Sequence, residues 1–315
     1  MTPGDRTRSD GPETGSGSAG DRTEVGTGHG VLRSILDALR SPRALDLSVY
    51  ALYALATAFF VFPVLWVVSA SLRRAGELFS YPFRLLPPEV SLSAYRRVAR
   101  AGVTTWLFNS TVVTVVGVTS IVAVSVPAAY AFSRFEFRGR RGLLGTVLLF
   151  QMISPVIIIV PLYTVMSTLG LLRTRAGLVL LYVGIQTPFS IWLLKGYFDA
   201  VPTELDYAAR IDGCNRLQIL RHVLLRPVAP GIAVVAIFNT VLTWSEFVLA
   251  FTVLGSESAL HTISIGVYKF QGQYGNDWRA IAAASVIGMV PLVLVFLALQ
   301  RYFVRGLVEG SLKGQ

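Results

Sequence analysis

Charge is scarce in this chain. Asp, Glu, Lys and Arg make up 15% of its 315 residues, against about a quarter in soluble domains, while 53% of the residues are hydrophobic. So few charges cannot clothe an ordinary water-exposed surface, which predicts a membrane protein. Cysteine is nearly missing as well. Cys214 stands alone, so no disulfide framework forms within the chain and the redox compartment stays open. The three histidines, His29, His222 and His261, fall in a tail, a loop and an outer segment. Scattered in this way they read as surface histidines and supply no catalytic cluster for a membrane enzyme. No G-x-x-x-x-G-K-[ST] phosphate loop occurs. The net charge of +10 raises nucleic-acid binding, but no recognition motif accompanies it. The arginines gather between apolar runs, where membrane proteins anchor themselves.

What the chain does have is apolar length. Six segments, at about 46–71, 106–131, 143–167, 176–198, 229–253 and 282–304, are each long enough to cross roughly 30 Å of hydrocarbon at about 1.5 Å per residue. They predict an all-α polytopic membrane protein with six transmembrane helices, spanning residues 45–315. Prolines 63, 127, 155, 161, 188 and 291 fall inside these spans and read as kinks, which membrane helices tolerate. Residues 1–44 form an N-terminal tail and lead-in; its first 30 residues, rich in Gly, Ser, Thr and Asp, bury too little apolar surface to fold and predict disorder. The first apolar run begins too late for a secretory signal. With both termini in the cytoplasm, 18 of the 28 Lys and Arg lie on the inner side, in keeping with the positive-inside bias. Arg134, Arg138, Arg140 and Arg141 then read as anchors on the inner leaflet or as contacts to a soluble partner.

One charged stretch interrupts the apolar pattern: "PTELDYAARIDG", residues 202–213. Thr203 and Asp206 have capping-box spacing, so a helix is predicted from Thr203. Leu205, Ala208, Ala209 and Asp212 fall on one narrow stripe, and Gly213 stands where a helix ends in a left-handed turn. A second short helix is predicted over "CNRLQILRHVLL", with Leu217, Leu220, Val223 and Leu224 on one face. The pair is either a connector lying on the bilayer or a docking element for a soluble partner.

These residues resemble a known family. "ELDYAARIDGCNRLQILRHVL" is similar to the coupling loop of permease subunits of ATP-binding-cassette importers, with Ala208, Ala209, Gly213, Val223 and Leu225 on the signature spacing. Two positions depart from it: Tyr207 replaces the family's Glu, leaving Glu204 and Asp206 as the nearby carboxylates, and Arg226 replaces its Pro. "FNSTVV", "AAYAFSRFEFRGRRGLL", "TWSEF" and the closing "RYFVRGLVEGSLKG" resemble the carbohydrate-type, MalG-like branch, so the likeness covers residues 45–315. The resemblance implies a six-helix permease for sugar import with a coupling loop at 202–226. It implies no cofactor or catalytic site in this chain. It implies three partners: a dimeric ATPase that receives the coupling helix, a second, MalF-like permease and an extracytoplasmic sugar-binding protein.

Carried onto this sequence, the coupling residues are Glu204, Leu205, Asp206, Tyr207, Ala208, Ala209, Asp212 and Gly213. The tail 306–314, with Lys313, is a further candidate for ATPase contact. A sugar path needs hydrogen-bonding and stacking groups at membrane depth, and Gln151, Gln186, Ser190, Asn239, Thr243 and Trp244 are of that kind; the alternative is that they glue helices together. Glu246 falls near the outer end of its span, where interfacial exposure or a structural hydrogen bond is expected rather than a proton relay. An importer permease for a non-sugar solute and a secondary transporter are the alternatives. The latter would show inverted repeats and central ionisable residues, and neither is evident.

Overall fold

The computed structural model describes residues 42–311, apart from 79–80, 82–83, 155 and 273–274. Residues 1–41, which include the first 30 predicted to be disordered, lie outside the described residues, as do the proline at 155 and Lys313.

The architecture is helical, as the composition predicts. Helix α1 runs Pro42–Ser71, α2 Ser93–Arg100, α3 Val103–Arg134, α4 Arg140–Gln151, α5 Ile159–Thr168, α6 Arg175–Asp199 and α7 Glu204–Ile211. Helix α8 runs Arg216–Ser245, followed by α9 Val248–Leu254, α10 Ile263–Tyr268 and α11 Trp278–Ser311. A two-residue hairpin, Gln271–Gly272 paired with Gly275–Asn276, precedes α11. Among the described residues five helices are long and apolar enough to cross a membrane: α1, α3, α6, α8 and α11.

Two of the six predicted spans are therefore not single helices. The segment at 143–167 breaks into α4 and α5, joined by turns in which Met152 N donates to Leu149 O and Ile157 N to Ser154 O. A Ser-Pro step at 154–155 disfavours a helical residue before the ring and removes one amide from the ladder. The span at 229–253 ends early: α8 stops at Ser245, Glu246 is extended, and α9 restarts at Val248.

Among the described residues, those up to Phe62 form one unit and those from Pro63 a second. In the first, Leu52, Tyr53, Phe59 and Phe60 are exposed, the state expected of side chains that face lipid. In the second, α3 packs most extensively on α6, and α8 lies against α11, α3 and α6. One core joins the ends of α3 and α6 to α7 and the start of α8 through Tyr130, Leu194, Phe198, Ala209, Ile219 and Leu224. At the other end, Leu178, Tyr182, Leu254 and Ile265 form a second core and Val98, Trp106, Ile263 and Ala283 a third.

Among the arginines of the loop that follows α1, Arg73 has a structural task. It is buried, its guanidinium donates to Glu77 O, Arg84 O and Leu85 O, and it stacks over Trp66 at 5.3 Å. A guanidinium has five donors and no acceptor, so here it organises a loop backbone instead of meeting lipid phosphate.

Candidate coupling site

Helix α7 forms where the sequence predicts, but not by the predicted cap. Thr203 is itself helical and its hydroxyl accepts no amide. Asp206 cannot complete the box because its side chain turns inward. A genuine capping box lies further along: Asn215 Oδ1 accepts from Gln218 N at 2.9 Å, and Gln218 Oε1 from Asn215 N at 2.8 Å.

The far end of α7 follows expectation. Gly213 has φ +83°; its N–H donates to Arg210 O at 3.0 Å and that of Cys214 to Ala209 O at 2.9 Å. This pair of bonds is the Schellman motif, which satisfies carbonyls the helix would otherwise leave open.

Inward-facing residues of α7 are Asp206 and Ala209 alone. Glu204, Tyr207, Ala208 and Ile211, at i, i+3, i+4 and i+7, are exposed, as is the adjacent Leu205. The predicted stripe is thus split: Ala209 packs inward, whereas Leu205, Ala208 and Asp212 do not. Ile211 is 87% exposed and Tyr207 61%, with Arg210 over the Tyr207 ring at 5.9 Å. The second helix is likewise not a separate amphipathic piece. After Gln218 the chain winds as a π-helix over Ile219–Leu224 and continues into the membrane span of α8. The wider π turn buries Ile219, Leu220 and Leu224, leaving the expected Leu217 exposed.

Arg134, expected at the membrane surface, is internal. Its Nε lies 2.9 Å from Asp206 Oδ2, and both side chains are under a tenth exposed. The pair is an ion contact without an aligned hydrogen bond, while Arg134 Nη2 donates to Val201 O at 2.7 Å. Ser133 Oγ donates to Asp199 Oδ1 at 2.6 Å, Lys195 pairs with the same carboxylate, and Arg140 Nη2 donates to Ser133 O at 3.4 Å. Arg138 and Arg141 are exposed.

The six path candidates divide. Gln186, Ser190, Asn239, Thr243 and Trp244 are buried, and their polar atoms are directed at neighbouring helices. Asn239 Nδ2 donates to Ser190 Oγ at 2.9 Å, Ser190 Oγ to Gln186 O at 2.9 Å, and Gln186 meets Thr243 at 3.4 Å, so a polar chain ties α6 to α8. Trp244 Nε1 donates to Gly288 O at 3.0 Å, tying α8 to α11. Gln151 differs: it is exposed at the end of α4 and borders a cavity of about 530 Å³, otherwise lined by apolar residues including Leu162, Met166 and Ile185.

Glu246 has a structural task. Its carboxylate accepts from Leu249 N and Ala250 N, each at 2.8 Å, and from Tyr182 OH at 2.9 Å, capping α9 where α8 has broken. His261 is buried, not a surface residue. Burial, and then the charge of Lys269, pushes its pKa below the ordinary histidine value. Two residues not singled out beforehand hold the segment around it. Asn109 Nδ2 donates to Ala259 O and His261 O, both at 2.9 Å, and Ser110 Oγ accepts from Ile263 N at 2.8 Å. The signal was available: "FNS" places an amide and a hydroxyl early in an apolar span, where an unpaired polar group is costly.

Long apolar helices, a broken third span and a short helix displayed between the fourth and fifth define a polytopic α-helical membrane protein. Residues 121–309 match the family described as binding-protein-dependent transport system inner membrane component, and the chain belongs to it. It is 34% identical over 266 residues to the probable ABC transporter permease YurM of Bacillus subtilis, covering 84% of this chain and 86% of that protein. It is 31% identical over 255 residues to the diacetylchitobiose uptake permease DasC of Streptomyces coelicolor, covering 81% and 92%. A chain of the bacterial ABC transporter that imports the acidic polysaccharide alginate superposes with TM-score 0.71 at 25% identity, covering 84% of this chain and 98% of that one.

Proposed function

We propose that this chain is the transmembrane permease subunit of an ATP-driven carbohydrate importer. It lies in the plasma membrane with both termini in the cytoplasm, and with a second permease it forms the translocation path. The observation that carries the coupling role is the outward face of α7, where Tyr207, Ala208 and Ile211 stand exposed on a helix held by a buried ion pair and a Schellman turn. A short amphipathic helix with one anchored face and one unpartnered apolar face suits insertion into a groove. The partner that supplies the groove is the dimeric ATPase. ATP is hydrolysed there, and this chain contributes no cofactor site and no catalytic residue.

Relatives that carry saccharides, diacetylchitobiose in one and alginate in another, support sugar as the cargo class, delivered by an extracytoplasmic binding protein. Within this chain the path candidate is Gln151, which is exposed on a cavity; the buried Gln186–Asn239 chain is assigned to helix packing. The ATPase face comprises Glu204, Tyr207, Ala208 and Ile211, with Leu205 and Asp212 at its border, while Asp206, Ala209 and Gly213 hold the helix in place.

The test is purification from the native membrane in mild detergent with identification of what accompanies the subunit. An ATPase and a second permease in fixed stoichiometry are expected. Repeated recovery of the subunit alone, under conditions that preserve other importers, would sink the proposal and return α7 to a connector lying on the lipid surface.

A further inference from the structure

The contact between Arg134 and Asp206 is a poor way to hold a protein together. Removing two charges from water costs several kcal/mol per ion, and the contact compensates only when the remaining donors and acceptors are satisfied. Here Asp206 Oδ1 accepts no hydrogen bond, and neither does Arg134 Nε–H donate a straight one. The buried Tyr130 hydroxyl, whose ring packs on Phe135 and Phe198 in the same core, also lacks a partner. Apolar pairs of similar size often replace such ion pairs with little loss of stability, the cost here being the hydrogen bond from Arg134 Nη2 to Val201 O.

What an apolar pair lacks is direction. Helix α7 has eight residues, too few to define its own orientation. Of its two inward residues, Ala209 presents only a methyl group, which resists rotation weakly. Asp206 meets a guanidinium that is itself fixed to Val201 O, just ahead of α7. Arg134 ends α3, a helix of 32 residues and therefore about 48 Å long. Near its other end, Asn109 and Ser110 grip residues 259–263. One helix, unbroken although Pro127 lies within it, thus joins α7 to the segment at 259–263, through residues distant in sequence.

We infer that Arg134 and Asp206 are positioning residues for transport: they set the rotation of α7 about its axis and pass its displacement into α3. The inference rests on the coupling reading of α7. A displaced α7 without this joint would still pull on α6 and α8, to which the chain connects it, but would reach α3 and the segment around His261 only through apolar packing, which resists sliding and rotation weakly.

The test is the double variant Arg134→Met with Asp206→Leu, placed in the complete complex with its ATPase, second permease and binding protein in liposomes. Assembly is expected to be retained, and sugar taken up per ATP hydrolysed to fall about tenfold, within the range of coupling between linked sites. A wild-type ratio overturns the inference, and so does failure of the double variant to assemble, which would make the pair a support of the fold. A second measurement does not depend on the cargo. In the purified subunit with Cys214→Ala, spin labels on Ile211→Cys and Arg138→Cys should give a broader distance distribution when the double variant is introduced. An unchanged distribution overturns the positioning role whatever the protein carries. Lack of uptake by the wild-type complex, with broadening seen in the subunit, would count against the proposed function alone.

Discussion

Gly231→Ala tests how α8 is docked. Gly231 lies on α8 opposite Tyr197 of α6, and a Cβ added there would fall 2.4, 2.6 and 2.8 Å from three atoms of the tyrosine ring. Real Cβ contacts do not approach so closely, so the ring must swing or the helices part. Overpacking of this kind costs about 1–3 kcal/mol. At about 2–4 °C per kcal/mol for a chain of this size, the apparent melting temperature should fall by several degrees. The same substitution at Gly184 or Gly196, both on α6, meets no atom within 4 Å. There alanine keeps its helix-propensity advantage of about 0.5–1 kcal/mol, so the sign reverses. Adding Tyr197→Ala to Gly231→Ala should recover part of the loss by vacating the contested space. The assay is thermal unfolding of the purified subunit in one detergent at one heating rate, since such transitions are rate-dependent. Equal shifts at all three glycines, or stabilisation by Gly231→Ala, would refute the close approach of α6 and α8.

Further outcomes concern the coupling loop and the break in the fifth span. Gly213→Pro should abolish uptake while the subunit still reaches the membrane, because proline can neither adopt φ +83° nor donate to Arg210 O; wild-type uptake beside a normal membrane immunoblot would contradict this. Ile211→Asp should leave subunit stability within about 0.5 kcal/mol, as exposed sites do, yet weaken retention of the ATPase about tenfold on a size-exclusion column, whereas Asp212→Asn should not. Glu246→Gln should lower thermal stability by about 1–2 kcal/mol through loss of a charged acceptor. The shape of the uptake-versus-pH curve should stay the same, and a changed shape would revive a proton relay.

Much of the fold was legible in the sequence because the membrane imposes length and polarity on each span. The helical class, the positions of α1, α3, α6 and α11, the coupling stretch and its glycine terminus followed from apolar run length and turn chemistry. The break of the third span was only half visible. Prolines at 155 and 161 were read as kinks, since a proline in lipid is compatible with either a bend or a stop. At Glu246 a single carboxylate gave no sign that it would cap a new helix, because the amides it satisfies are created by the break itself.

The coupling site shows the same division. Local rules place α7 and end it at Gly213, but they cannot say which face turns inward. Eight residues make barely two turns, and the apolar pattern of Leu205, Ala208 and Ala209 fitted one face as well as another. Thr203 and Asp206 have the spacing of a cap. That local bond lost to Arg134, a residue far away in sequence which burial brings within 2.9 Å. Likewise Gln186, Ser190, Asn239 and Thr243 are polar at membrane depth whether they meet solute or one another, and only helix packing decides.

The sequence by itself determined that this chain is a multi-pass membrane protein, where its long apolar helices lie, and where it displays a short charged helix. These are consequences of composition and of spacing within one or two turns. The tertiary structure alone decided that Arg134 and Asp206 are joined, that Tyr207 and Ile211 face outward, and that five of the polar candidates bind helices to one another. Each depends on residues brought together from different helices, where the absence of water makes every buried charge and hydrogen-bonding group seek whatever partner the packing supplies.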